Sequence, residues 1–76
     1  MRFTNRVMKQ LTDFYYRNEG SIILLMPNTE DSQDWINENL YLESWQKRGN
    51  NIAVDHRSFS IIEEGIENDG LIIEEI

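Results

Sequence analysis

Three consecutive residues, Asp55-His56-Arg57, hold the only histidine of the chain. An imidazole titrating near neutrality beside a carboxylate is material for general acid–base chemistry. Ser58 and Ser60 follow closely as potential nucleophiles. The spacing argues against assembly. Neighbouring residues in extended chain point to opposite sides, so Asp55 is badly placed to orient His56. Neither serine stands in the strained Gly-x-Ser-x-Gly turn that presents a nucleophile beside an oxyanion hole. No catalytic residue is assigned. The triplet is expected to be a corner where a strand hands over to a helix, with Arg57 relieving local acidic repulsion. A partner contact is the second role open to His56. An enzymatic role with Asp55 and nearby glutamates ranks last.

The carboxylates are the next reactive set. Glu63 and Glu67 are one helical turn apart, Glu64 lies beside them, and Asp69, Glu74 and Glu75 follow. Paired glutamates can seat a divalent cation, but hard-cation sites draw more oxygens from a shaped loop. The chain has no Asp-x-Asp-x-Asp-Gly loop and no cysteine, so disulfides and thiolate metal sites are excluded. Its four glycines are isolated and form no phosphate cradle. Neither metal nor cofactor is expected. The carboxylates are read first as a solvated face and second as a recognition surface. Trp45, next to Lys47 and Arg48, and Tyr41 are the apolar anchors such a surface would use, because tryptophan and arginine are favoured at hot spots.

Charge supports that reading. Residues 1–20 carry four basic and two acidic side chains, +2 in all. Residues 21–76 carry three basic and twelve acidic ones, −9 in all, with six carboxylates and no base from Ser58 onward. A free polyanion is repelled by such a surface, so direct binding of nucleic acid is not expected, and a protein with a basic surface is. The longest apolar run, Ile22 to Met26, is too short to span a bilayer. The N-terminal sequence is charged and helix-patterned, unlike a signal peptide. The expectation is a cytoplasmic protein without membrane contact.

The elements that must position these groups follow from periodicity. Phe3, Val7, Met8, Leu11, Phe14 and Tyr15 recur at intervals of three and four, which predicts an amphipathic helix over residues 1–19. The run "SIILLM" predicts a central strand buried on both faces. Asn28 or Thr29 caps a helix carrying Trp35, Ile36 and Leu40 on its buried side. Residues 42–47 and 52–54 form a hairpin around Arg48-Gly49-Asn50. "SFSIIEEGIENDG" is a helix, with Ser60 and Glu63 at capping-box spacing, and "LIIEEI" is a last strand. Gly65 inside that helix costs about 1 kcal/mol relative to alanine, and a close backbone approach would explain it.

The expected fold is α+β, an N-terminal helix followed by a βαββαβ (ferredoxin-like, split βαβ) two-layer domain, with residues 20–76 as the core of one domain. Right-handed crossovers put both later helices on one face of the sheet. A ferredoxin-like sheet invites RNA, but "SIILLM" and "NIAVD" provide no aromatic platform for stacking bases. A domain of 76 residues buries only about 60% of its unfolded surface, so association, including a homodimer, fits its size.

The segments "GSIILLMPNTEDSQDWINENL" and "IAVDHRSFSIIEEGIENDGL", within residues 20–73, resemble a group of short accessory proteins encoded by bacteriophages and other mobile elements. The resemblance implies an inhibitor or modifier of host machinery. Joined to the charge layout, it gives the leading expectation: a small acidic, non-enzymatic protein that binds a host protein, for instance a nucleic-acid-binding defence complex, by imitating nucleic-acid charge. The alternative is a homo-oligomeric, antitoxin-like regulator whose basic N-terminal helix touches DNA or a partner.

Overall fold

The aromatic run Phe14-Tyr15-Tyr16 is a strand and not the end of a helix. A computed structural model describes residues 11–76; the predicted helical positions Phe3, Val7 and Met8 lie outside the described residues. The first described strand, β1, spans Phe14–Asn18 and pairs antiparallel with β2, Ile22–Pro27. Aromatic side chains favour a pleated, half-buried surface, which decides a stretch whose apolar spacing also suits a helix. Gly20, at φ +98°, makes the turn between the strands, and its N–H donates to Asn18 Oδ1 over 2.9 Å.

Helix α1, Glu30–Asn39, begins at Thr29. The Thr29 hydroxyl accepts from the Ser32 N–H at 3.1 Å, and Ser32 Oγ accepts from the Thr29 N–H at 3.0 Å. This is a capping box closed by serine. In place of a long strand over 42–47 the chain makes a 3₁₀ turn, Ser44–Gln46, and a two-residue strand β3, Lys47–Arg48. Gly49, at φ +66°, then opens the predicted turn into β4, Asn51–Asp55. Helix α2 spans His56–Asn68 with Asp55 as its N-cap, so Ser60 lies inside the helix and the expected Ser60–Glu63 capping box is not the start. Its end is a Schellman motif: the Leu71 N–H reaches Ile66 O at 3.2 Å, the Gly70 N–H reaches Glu67 O at 3.0 Å, and Gly70 takes φ +83°. The last strand, β5, is Ile73–Glu75.

The five strands of the described residues lie in the order β3-β4-β2-β1-β5, antiparallel except for the parallel pair β1–β5. The α+β class is as expected. The strand order is not: a ferredoxin-like sheet would set β5 directly beside β2, and here β1 is inserted between them. Residues 14–18, the last part of the segment read as an N-terminal helix, are thus a strand inside the sheet.

The two helices of the described residues cover one face of that sheet. Phe14 and Tyr16, two residues apart and so on the same face, meet Trp35 of α1 edge-on at 6.0 Å and Phe59 of α2 at 4.6 Å between ring centroids. Phe14, Ile23, Leu25, Ile52 and Val54 from the sheet, Trp35 and Ile36 from α1, and Phe59 and Ile66 from α2 form the buried core. Each such side chain contributes on the order of 1.5–3 kcal/mol by leaving water. β2 is central, but Ile22, Leu24 and Met26, facing away from the helices, are only half-buried. Gly65 is also explained: a Cβ there would stand 3.2 Å from Cζ2 of Trp35, so α1 presses its indole against the backbone of α2.

Candidate functional site

At the Asp55-His56-Arg57 corner, Asp55 Oδ1 accepts from the Arg57 backbone N–H at 2.9 Å. The Arg57 guanidinium binds the same carboxylate through Nε at 3.3 Å and Nη2 at 3.1 Å. This fork holds Asp55 down to about 2 from an ordinary 3.8, with the side-chain bond from Arg57 the first cause and its backbone bond the second. Arg57 is pushed up by the same partner. The carboxylate is thus committed to the cap and its ion pair. His56 is exposed, and its backbone N–H donates to Ser21 O at 3.0 Å, stitching the corner to the β1–β2 turn. Nothing in this geometry orients the imidazole toward a nucleophile.

The acidic residues divide into groups with different surroundings. Tyr16 is the register partner of Glu75 on β5 and packs on Phe59 of α2, one turn before Glu63, and the fields of Glu63, Glu75 and Glu67 reach its phenol. Partial burial raises the Tyr16 pKa above 10.0, and the fields of Glu63, Glu75 and Glu67, in that order, raise it further. Glu64, one position round the helix, is exposed. Glu74 alternates with Glu75 and faces the other side of the sheet. Asp69 is engaged within the fold, where its Oδ2 accepts from the Trp35 indole N–H at 2.7 Å. Among the described residues, the ion pairs are Arg17–Glu19 and Arg57–Asp55, so the carboxylates of α2 and β5 have no cation from that part of the chain against them.

The aromatic anchors lie elsewhere. Tyr41, 93% exposed, and Trp45, 51% exposed, precede β3 at the opposite edge of the sheet from β5. The Trp45 indole N–H donates to Glu43 Oε1 at 3.1 Å. Four strand spacings of about 4.8 Å separate the two edges, roughly 19 Å, so the carboxylates and the aromatics do not make one patch. An exposed apolar residue of α2 is Ile61, 72% exposed and one turn before Glu64. Its signal was present, since it falls off the Phe59-Ile62-Ile66 face.

A depression of about 200 Å³ lies between α1 and the β3–β4 hairpin, lined in part by Gln33, Ile36, Leu42, Lys47 and Asn51. Lys47 is the one charged group among its described lining residues, and its volume is below the roughly 300 Å³ where small-molecule sites begin. Among the described residues no three His, Asp or Glu side chains are grouped to hold a metal ion. No helix among them is long and apolar enough to cross a membrane. The basic helix on which the regulator alternative rests has Arg2, Arg6 and Lys9 outside the described residues. Its fourth base, Arg17, sits on β1 and pairs with Glu19 at 3.2 Å.

Comparison with protein-family models, curated proteins and solved structures finds no match to this chain.

Proposed function

We propose that this chain is a non-enzymatic interaction protein whose acidic α2–β5 region docks on a basic surface of a partner protein. The observation that carries the reading is the placement of Glu63 and Glu67 one turn apart on α2, following Phe59 against which Tyr16 packs, and of Glu75 as the register partner of Tyr16, with no cation opposite among the described residues. Like charges held together on a rigid scaffold raise the local negative potential, and that speeds encounter with a cationic partner and discriminates against an anionic one. A nucleic-acid-binding protein of a host defence complex has such a basic surface. The likeness to accessory proteins of mobile elements favours that kind of partner.

The test is association kinetics with a captured basic partner over a range of ionic strength. Glu63→Lys, Glu67→Lys and Glu75→Lys together should slow association about tenfold or more at low salt and flatten its salt dependence. Parent and variant associating at the same rate, with the same response to salt, would refute the proposal.

A further inference from the structure

We infer that the outer edge of β5 takes up an extended, lysine- or arginine-bearing segment of the partner as a sixth strand. This rests on the acidic docking proposed above and specifies how the partner engages.

The backbone supplies the first argument. β5 ends the sheet, with β1 on one side and no strand among the described residues on the other. The Phe14 N–H reaches Ile72 O at 2.9 Å and the Ile76 N–H reaches Tyr16 O at 2.8 Å, so the even-numbered residues of this strand face β1. By alternation along the ladder, the N–H and C=O groups of Ile73 and Glu75 face outward. A row of this kind, without a partner strand among the described residues, is a template for another chain.

The side chains choose the occupant. Ile73 and Glu75 share the helix-covered face of the sheet with Phe14 and Tyr16, and Tyr16 packs on Phe59 of the helix that carries Glu63 and Glu67. Leu71, Ile73 and Ile62 are only partly buried against the core, so an added strand would finish covering them. Glu74 stands on the opposite face. An incoming strand therefore meets partly covered apolar side chains on the helix face, rimmed by glutamates, and Glu74 on the other face, which suits alternation with apolar residues turned toward the helices and cationic ones toward Glu74.

A second copy is a poorer fit. Pairing β5 with itself would set Glu74 and Glu75 against the same residues, and like charges across a ladder are destabilising. The basic edge strand β3, Lys47–Arg48, has the right charge but only two residues, and joining it to β5 head to tail leads to open filaments.

The decisive measurement is amide hydrogen exchange on the full chain, with and without a short blocked peptide of alternating lysine and valine. The Ile73 and Glu75 amides should slow about tenfold or more when peptide is bound, while those of Glu74 and Ile76, already turned toward β1, change less. Peptide binding that leaves Ile73 and Glu75 exchanging as before would overturn strand addition and leave acidic docking standing. Absence of peptide binding at low salt would overturn both. Slowing of these two amides without peptide, rising with protein concentration, would assign the edge to a second copy and overturn the inference. Two variants give an independent reading. Glu75→Gln removes only charge, whereas Glu75→Pro also removes an outward N–H at an edge position where proline is tolerated. Glu75→Pro should bind the peptide roughly three- to tenfold more weakly than Glu75→Gln, the value of about one hydrogen bond. Equal affinities would contradict the inference.

Discussion

The aspartates at the joints of this molecule and the glutamates at its β5 edge carry the same charge and live in opposite circumstances. Asp13 is fully buried; its Oδ1 accepts from Thr29 Oγ1 at 2.8 Å and its Oδ2 from the Ile72 N–H at 2.9 Å. One carboxylate thereby ties the start of β1 to the cap of α1 and the approach to β5. Asp55 caps α2, and Asp69 holds the indole of Trp35. Glu63, Glu67, Glu74 and Glu75 hold nothing of that kind among the described residues. The shorter side chain reaches backbone and neighbouring donors at a fixed distance, so it is suited to joints. The longer one projects into solvent, where its charge acts at a distance. A net charge of −7 therefore conceals two populations, one internal to the fold and one available to a partner.

The comparison is broken most directly at Asp13. Replacement by alanine leaves the Thr29 hydroxyl and the Ile72 N–H without their acceptor in a buried position. The expected loss is about 3 kcal/mol in urea unfolding, with little change in peptide binding by the folded fraction. A variant as stable as the parent would remove Asp13 from the structural class. Asp69→Ala comes next. Trp35 is nearly buried, and its indole N–H would lose its partner, for an expected loss of about 1–2 kcal/mol. Retained thermal stability in that variant would show that the indole hydrogen bond contributes nothing net.

The same contrast explains which features the sequence displays openly. Much of the turn and cap chemistry was legible because it is local: Thr29, Gly49 and Asn68-Asp69-Gly70 sit where the sequence suggests, and the strand-to-helix corner lies at Asp55-His56, although the cap read at Ser60 falls inside the helix. The buried stripe of α2, Phe59 and Ile66 with Ile62 packed beside it, was legible for the same reason. Asp13 was not. It looked like a charge on the wet side of an amphipathic helix, since Leu11, Phe14 and Tyr15 satisfy helical spacing as well as they satisfy an aromatic strand. Its role depends on Thr29 and Ile72, sixteen and fifty-nine residues away, and no local pattern encodes such a meeting. The acidic cluster was half legible. Glu63 and Glu67 follow from one helical turn, whereas Glu75 joins them only because β1 is inserted in the sheet and brings Tyr16 between α2 and β5. Trp45 and Tyr41 were read as part of the same surface, and the strand order sends them to the other edge.

Asp55 sharpens the comparison through pH. Its carboxyl is held at about 2 in the folded protein against an ordinary 3.8, so the unfolded chain binds the proton more readily in that interval. The stabilisation is present above about pH 4 and lost as pH falls toward 2. Asparagine also caps helices well, so Asp55→Asn isolates the charge shared with Arg57. The variant should unfold at lower urea than the parent at pH 6, and the gap should close near pH 2. A gap of the same size at both values would show that the ion pair adds nothing to the cap.

The smallest effect on stability belongs to the edge glutamates. With no cation among the described residues to lose and mutual repulsion to shed, Glu63→Gln, Glu67→Gln and Glu75→Gln together should change stability by no more than about 0.5 kcal/mol, on the stabilising side if at all. Tyr16 reports whether they act as a unit. Its phenol is raised first by partial burial and then by these three fields, so the triple variant should ionise at lower pH than the parent while staying above 10.0. A raised phenol makes its contribution below the unfolded pKa and loses it as pH climbs through the folded one, so the parent should weaken in strong alkali along with Tyr16 ionisation. Phenolate absorbance, assigned by its loss in Tyr16→Phe, measures both. A Tyr16 titration indifferent to the three substitutions would mean that the carboxylates stand too far apart to form one potential, and the edge would then have no stronger claim on a basic partner than any other stretch of this acidic surface.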